Sequence, residues 1–173
     1  MKVICYASQG KKIDETLAKA FARGCGRYGS RGKLLPTAGW TGQVSAKCDL
    51  AVVIGVKSNS APIFNAYRAA GKRAVVIDKG YTRLRGGELG TLYWRVSLDE
   101  FQPLKYFQAI QRPEDRWRAL KVPITYEQKK GETVLFAGSS QKYCDWHKLG
   151  PATAYAKSIL AVVRTHTDRP NVY

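Results

Sequence analysis

Residues 49–80, DLAVVIGVKSNSAPIFNAYRAAGKRAVVIDKG, constrain the fold more than any other part of the chain. They hold two apolar runs, DLAVVIGV and RAVVIDKG, that are continuous rather than alternating. A strand with that pattern is buried on both faces. Between the runs, SNSAPIFNAYRAAGK reads as a helix, with Ser58 or Asn59 as its N-cap and Gly71 as its C-terminal stop. Strand, helix and strand joined by short loops make a right-handed βαβ unit, and hence a parallel sheet with both faces covered.

The flanking segments extend this plan. KVICYA (2–7) is a short β-branched run. The next segment, IDETLAKAFARGCGRYG, places Ile13, Leu17, Ala20, Phe21 and Gly24 at helical spacing. Asp14 and Glu15 fall in its first turn, where acids are favoured, and its glycine-rich tail is expected to close it. Residues 30–48 are poor in pattern, with a short strand expected at Lys33–Leu35. Further on, a strand is expected at Leu92–Val96 and a short helix within RPEDRWRALKVPI. EQKKGET (127–133) is a polar connector, after which TVLFAGS restarts the strand pattern. PATAYAKSILAVVRTH is an amphipathic helix with Ala152, Tyr155, Ala156, Ile159, Leu160 and Val163 on one face. DRPNVY begins another strand. The expected fold class is therefore α/β: a Rossmann-like parallel sheet flanked by helices over residues 1–130, and the start of a second Rossmann-like unit over 131–173.

The charge balance narrows the partners. Lys and Arg number 29 against 13 acids, a net charge of +16, and the basic residues are spread along the chain. Such a field favours nucleic acid or a small substrate carrying phosphate, although a solvated basic surface is the plainer alternative. The four cysteines include no CxxC pair, so no metal site is expected and reduced thiols are. With no long apolar run, and VICYA too short for a secretory signal, no membrane association is expected and a cytoplasmic location is. A sheet left open at its edge can pair with a second copy, so a homo-oligomer stays open.

Several constellations could carry chemistry. GVKSNS leads into a helix N-terminus, where Lys57, Ser58, Asn59 and open backbone N–H groups would seat a phosphate; ordinary helix capping is the competing reading. Asp78 follows a buried strand and could act as a general base, hold a ribose hydroxyl, or simply satisfy a turn. Arg83 and Arg85 could steer a phosphate backbone. Trp94 and Arg95, with Trp117 further on, could stack on unpaired bases, against the commoner reading of core packing. In VLFAGSSQKYCDWHKLG (134–150), Gly138 allows close approach, and Ser139, Ser140 and Lys142 supply donors. Asp145 and His147 could pair there as acid and base; alternatively Tyr143, Cys144 and Trp146 only pack a long loop. GGELG (86–90) is not GxGxxG, no P-loop GxxxxGK[ST] occurs, and neither serine sits in GxSxG.

CDLAVVIGVKSNSAPIFNAYRAAGKRAVVIDKGY, LYWRVSLDEFQP, RPEDRW, VLFAGSSQKYCDWH and THTDRPNVY together resemble a group of bacteriophage proteins. These are related to glycosyltransferases of the two-Rossmann-domain (GT-B) type, including those that modify phage DNA. The resemblance covers about Cys48 to Tyr173 and lies in order and texture rather than in one motif. It implies an acceptor bound mainly by the first domain and a nucleotide-sugar donor bound mainly by the second, with Gly138, Ser139 and Ser140 in the donor-diphosphate loop. Only the start of that second domain lies within this sequence. The implied function is glycosyl transfer on or near modified DNA. The rival is a non-catalytic nucleic-acid-binding or host-interaction protein on the same scaffold.

Overall fold

The computed structural model of the chain describes residues 1–80, 94–110, 115–119 and 131–172. It divides into two compact units, Met1–Arg112 and Pro113–Tyr173.

Unit 1 is an α/β layer structure of the Rossmann-like kind. In chain order it contains β1 (Lys2–Ala7), α1 (Lys12–Arg27), β2 (Arg31–Pro36), β3 (Leu50–Ile54), α2 (Ala61–Ala69), β4 (Arg73–Lys79), β5 (Trp94–Leu98) and α3 (Leu104–Ala109). The strand order is β2-β1-β3-β4-β5. The first four strands are parallel, and β5 runs antiparallel to β4 with Ile77 opposite Val96.

Alternation sorts the side chains between the two faces. Val3, Cys5, Ala7, Val52, Ile54, Val75 and Ile77 form one core cluster with Ala18, against which Leu17, Phe21 and Leu34 pack. That is the α1 face. On the other face the Tyr6 and Tyr67 hydroxyls meet at 2.9 Å, so α2 covers that side, with Ile63 and Tyr67 fully buried. One helix on each face makes the sheet doubly wound.

Two local expectations are corrected. Helix α1 runs through Gly24 and Gly26 to Arg27, because its buried face outweighs the weak helix preference of glycine; the chain turns at Gly29, whose φ is +70°. Strand β2 is twice the expected length, six residues, and pairs with β1 from Lys2↔Arg31 to Ala7↔Pro36. An edge strand half in solvent carries little apolar pattern, and Pro36 is tolerated at its end. Gly32 on this strand lies hard against α1: a methyl there would sit 2.7 Å from the Ala22 Cα and 2.8 Å from its carbonyl oxygen.

The core contains fully buried thiols and phenols, which set a pH limit. Burial, with Cys25 and Cys48 adding to it, pushes the Cys5 thiol up from 9.0 to about 12. Burial also raises Tyr6, Tyr67 and Cys48. The unfolded chain gives up the Cys5 proton near the ordinary value while the folded chain keeps it. Stability from this group is therefore complete below pH 9 and is lost as pH rises toward 12, by about 1.4 kcal/mol per unit of separation at most. Urea midpoints measured from pH 8 to 11 should fall above pH 9, and Cys5→Ala should flatten part of that fall. An unchanged slope in the variant would remove Cys5 as the cause.

Unit 2 has α4 (Asp115–Ala119), β6 (Val134–Leu135), α5 (Gln141–His147), α6 (Ala152–Arg164) and β7 (Asn171–Val172), with β6 and β7 paired in parallel. Along α6 the expected face holds in full: Ala152, Tyr155, Ala156, Ile159 and Val163 are half-buried, Leu160 is buried, and the other positions are exposed. The strand expected over VLFAG is confined to Val134–Leu135, and Gln141–His147, expected as loop, is helix. No helix among the described residues is long and apolar enough to cross a membrane.

Candidate functional site

The order β2-β1-β3 makes β1 and β3 the place where the winding reverses. From β1 the chain moves outward to β2, then returns across the sheet to β3 on the other side. The loops leaving the two strands therefore diverge to opposite faces, and it is at the carboxyl ends of such a pair that open α/β sheets place a ligand crevice. Three loops line it: 8–11 after β1, residue 37 after β2, and 55–60 after β3.

Hydrogen bonds and one ion pair hold these loops together. Asn59 Nδ2 donates to Thr37 Oγ1 at 2.9 Å and to Ser8 Oγ at 3.4 Å, so one amide ties all three strand ends. Lys57 reaches from the β3 loop to Asp14 in the first turn of α1, Nζ to Oδ2 at 2.5 Å. The Asp14 side chain is 3% exposed and that of Lys57 30%, so the carboxylate is enclosed while the ammonium keeps a path to solvent. Asp14 also stands at the positive end of the α1 dipole, the favourable end for an acid.

The β3 loop has its own internal lock. Lys57 N–H donates to Ser60 Oγ at 2.9 Å, and that hydroxyl donates to the Gly55 carbonyl at 2.8 Å. This corrects the expected cap. Ser60, not Ser58 or Asn59, occupies the N-cap position of α2, and its hydroxyl serves the loop, leaving no side-chain cap on the helix. Lys11 at the α1 N-cap likewise provides none. At α2 the Ala61 N–H bonds to the Lys57 carbonyl at 2.8 Å and Pro62 carries no N–H, so it is the first turn of α1, without a side-chain cap, that brings N–H groups to the crevice.

Gly55 makes the corner possible. Its φ is +65°, and a methyl there would lie 3.3 Å from the Lys57 Cε and 3.8 Å from Asp78 Oδ1. Lys57 and Asp78, singled out separately in the sequence, therefore flank the same glycine. Asp78 closes β4; its Oδ1 accepts from the Lys79 N–H at 2.8 Å, and Oδ2 lies 3.6 Å from Arg95 Nη2.

The remaining candidates fall elsewhere. Arg95 has only 11% of its side chain exposed, and its guanidinium lies 4.8 Å over the Phe101 ring as well as beside Asp78. Trp94 is half-buried and packs against the α1-face core, in keeping with the core-packing alternative to base stacking. Arg83 and Arg85 lie outside the described residues. Asp145 and His147 belong to α5 and stand two residues apart, which turns them to different faces of the helix and corrects the expected acid–base pairing. Asp145 accepts from Gln141 Nε2 at 2.7 Å, and His147 stacks on Tyr143 with centroids 4.3 Å apart. Ser140 is the N-cap of α5, accepting from the Tyr143 N–H at 3.3 Å; Ser139 and Lys142 flank it, and Gly138 lies under the Phe136 ring. All six of these residues of 138–147 are in unit 2, whereas the crevice is built entirely by unit 1.

Sequence reading missed Ser8, Asp14 and Thr37 as parts of the site. Asp14 was legible only as a first-turn acid, and Thr37 sits in a stretch without periodicity. Among the described residues no group of His, Cys, Asp and Glu is arranged to hold a metal. The chain matches no protein-family model and no curated protein.

Proposed function

We propose that this chain binds a phosphate-bearing small molecule of the nucleotide class in the β1/β3 crevice and uses it in group transfer, in the manner of a glycosyltransferase acting on nucleic acid. The observation that carries this reading is the tying of three strand-end loops by Asn59 and Lys57 at the point where the winding reverses. A phosphate there would meet first-turn N–H groups of α1 and an ammonium whose remaining two hydrogens Asp14 leaves unused. In a direct displacement, the acceptor hydroxyl would lose its proton to Asp78 as its oxygen attacks the anomeric carbon. The bond to the donor phosphate breaks, and the diphosphate leaves with the electron pair toward Lys57. The net charge of +16 would draw a polyanionic acceptor.

The test is thermal melting of the full chain with UDP-glucose and, separately, pyrophosphate. Both should raise the midpoint, and Asn59→Ala should lose most of the shift. The same charge supports the non-catalytic alternative. Salt-steep binding to DNA, with no response to either phosphate ligand at millimolar concentration, would overturn the crevice reading in its favour.

A further inference from the structure

The β2-to-β3 return, residues 37–49, crosses the sheet without a helix. On that face α2 packs on β3 and β4. The strip over β1 and β2 is left to the return segment alone. What remains is a cavity of about 570 Å³, within the range of small-molecule sites. Its floor is Ile4, Tyr6 and Leu35, and Trp40 and Val44 stand over it. The floor is firm: Tyr6 is 3% exposed, and its hydroxyl is held by Tyr67, which also accepts from the Ser45 N–H at 3.3 Å. Trp40 is fixed in orientation by its Nε1–H, which donates to the Gln43 carbonyl at 3.2 Å. The charged residue of the lining is Lys33.

The cavity and the crevice are joined through one stretch of backbone. Pro36 and Ala38 line the cavity, and Thr37 between them accepts the Asn59 hydrogen bond in the crevice. The recess that Trp40 lines is thus joined to the crevice at Thr37.

We infer that this cavity seats the base of a nucleoside diphosphate whose phosphates occupy the β1/β3 crevice, with Trp40 as its aromatic contact. The inference rests on the crevice reading and adds to it. It assigns the nucleoside to unit 1, whereas the resemblance to two-domain transferases implies the second unit. A flat ring matches a recess with an apolar floor and one oriented indole, and Lys33 suits the carbonyl edge of a base or a second anionic group.

Isothermal titration of the full chain with UDP, ADP, uridine and pyrophosphate separates the two sites. The diphosphate nucleosides should bind about tenfold or more tightly than pyrophosphate, in line with the worth of one base–aromatic stack. Trp40→Ala should remove that advantage and leave pyrophosphate binding unchanged. Ala38→Phe fills the recess without removing a packing side chain and should do the same. Pyrophosphate binding without any gain from the nucleoside, or equal loss for all ligands in both variants, would overturn the cavity assignment while the crevice reading stands. Binding of none of the ligands would sink both.

Discussion

Gly32→Ala is expected to lower the thermal midpoint of the chain by roughly 10 °C, a loss of about 2–3 kcal/mol, the scale of an overpacked contact in a domain of this size. Nothing about the backbone conformation of Gly32 demands glycine. The demand comes from α1, whose Ala22 Cα, carbonyl oxygen and Cβ would lie 2.7, 2.8 and 2.9 Å from the added methyl. Two of those three atoms are backbone and cannot rotate away, so the helix would have to lift from the sheet. That would loosen Leu17 and Phe21 from the core they pack against. The geometry makes a sharper statement as well. Ala22→Gly, which removes only the Cβ, should fail to rescue Gly32→Ala. Recovery in the double variant would mean that the side-chain contact alone sets the spacing between α1 and β2.

The second large effect concerns the ion pair. Lys57→Met should destabilise the chain by about 2–4 kcal/mol, because it leaves the enclosed Asp14 carboxylate without its partner; the α1 dipole offsets only part of that cost. The double variant Asp14→Leu/Lys57→Met should recover most of the loss, since two apolar side chains at such a site are often as stable as the pair they replace. Chemical denaturation of the wild type, both single variants and the double variant closes the cycle. A double variant as unstable as the sum of its parents would show that the two groups act separately. The same double variant should still fail to respond to pyrophosphate, which divides the role of Lys57 in stability from its role in binding.

The parts of this architecture legible in the sequence were those in which burial is complete. DLAVVIGV and RAVVIDKG, whose central residues are continuously apolar, read as buried strands, and they are β3 and β4. The α6 face was legible because a helix half in solvent writes its burial at a period near four. Strand β2 was legible only over Lys33–Leu35, because an edge position exposes Arg31, Gly32 and Lys33 and blurs the pattern at its start. The site divides in the same way. Lys57 and Asp78 could be found because they follow buried strands directly. Ser8 and Thr37 could not, because their role depends on which strands become neighbours, and the order β2-β1-β3 is a long-range outcome that no local spacing encodes. The serine and histidine packet at 139–147 drew attention by its composition, by its place after the VLFAG run and by resemblance, yet Ser140 spends its hydroxyl on starting a helix.

The absence of a helix between β2 and β3 has an evolutionary corollary. Elements that interlock with a sheet are costly to alter, because each change must be matched by its neighbours. The 37–49 crossing is fastened mainly through the buried Thr37 and Cys48, whereas Ala38, Thr41 and Gln43 are exposed and can be exchanged with little penalty to folding. Under the proposed cavity assignment, ligand preference is thus free to drift in one short segment while the scaffold beneath it stays fixed, and the same segment is the natural place to begin retargeting it by design.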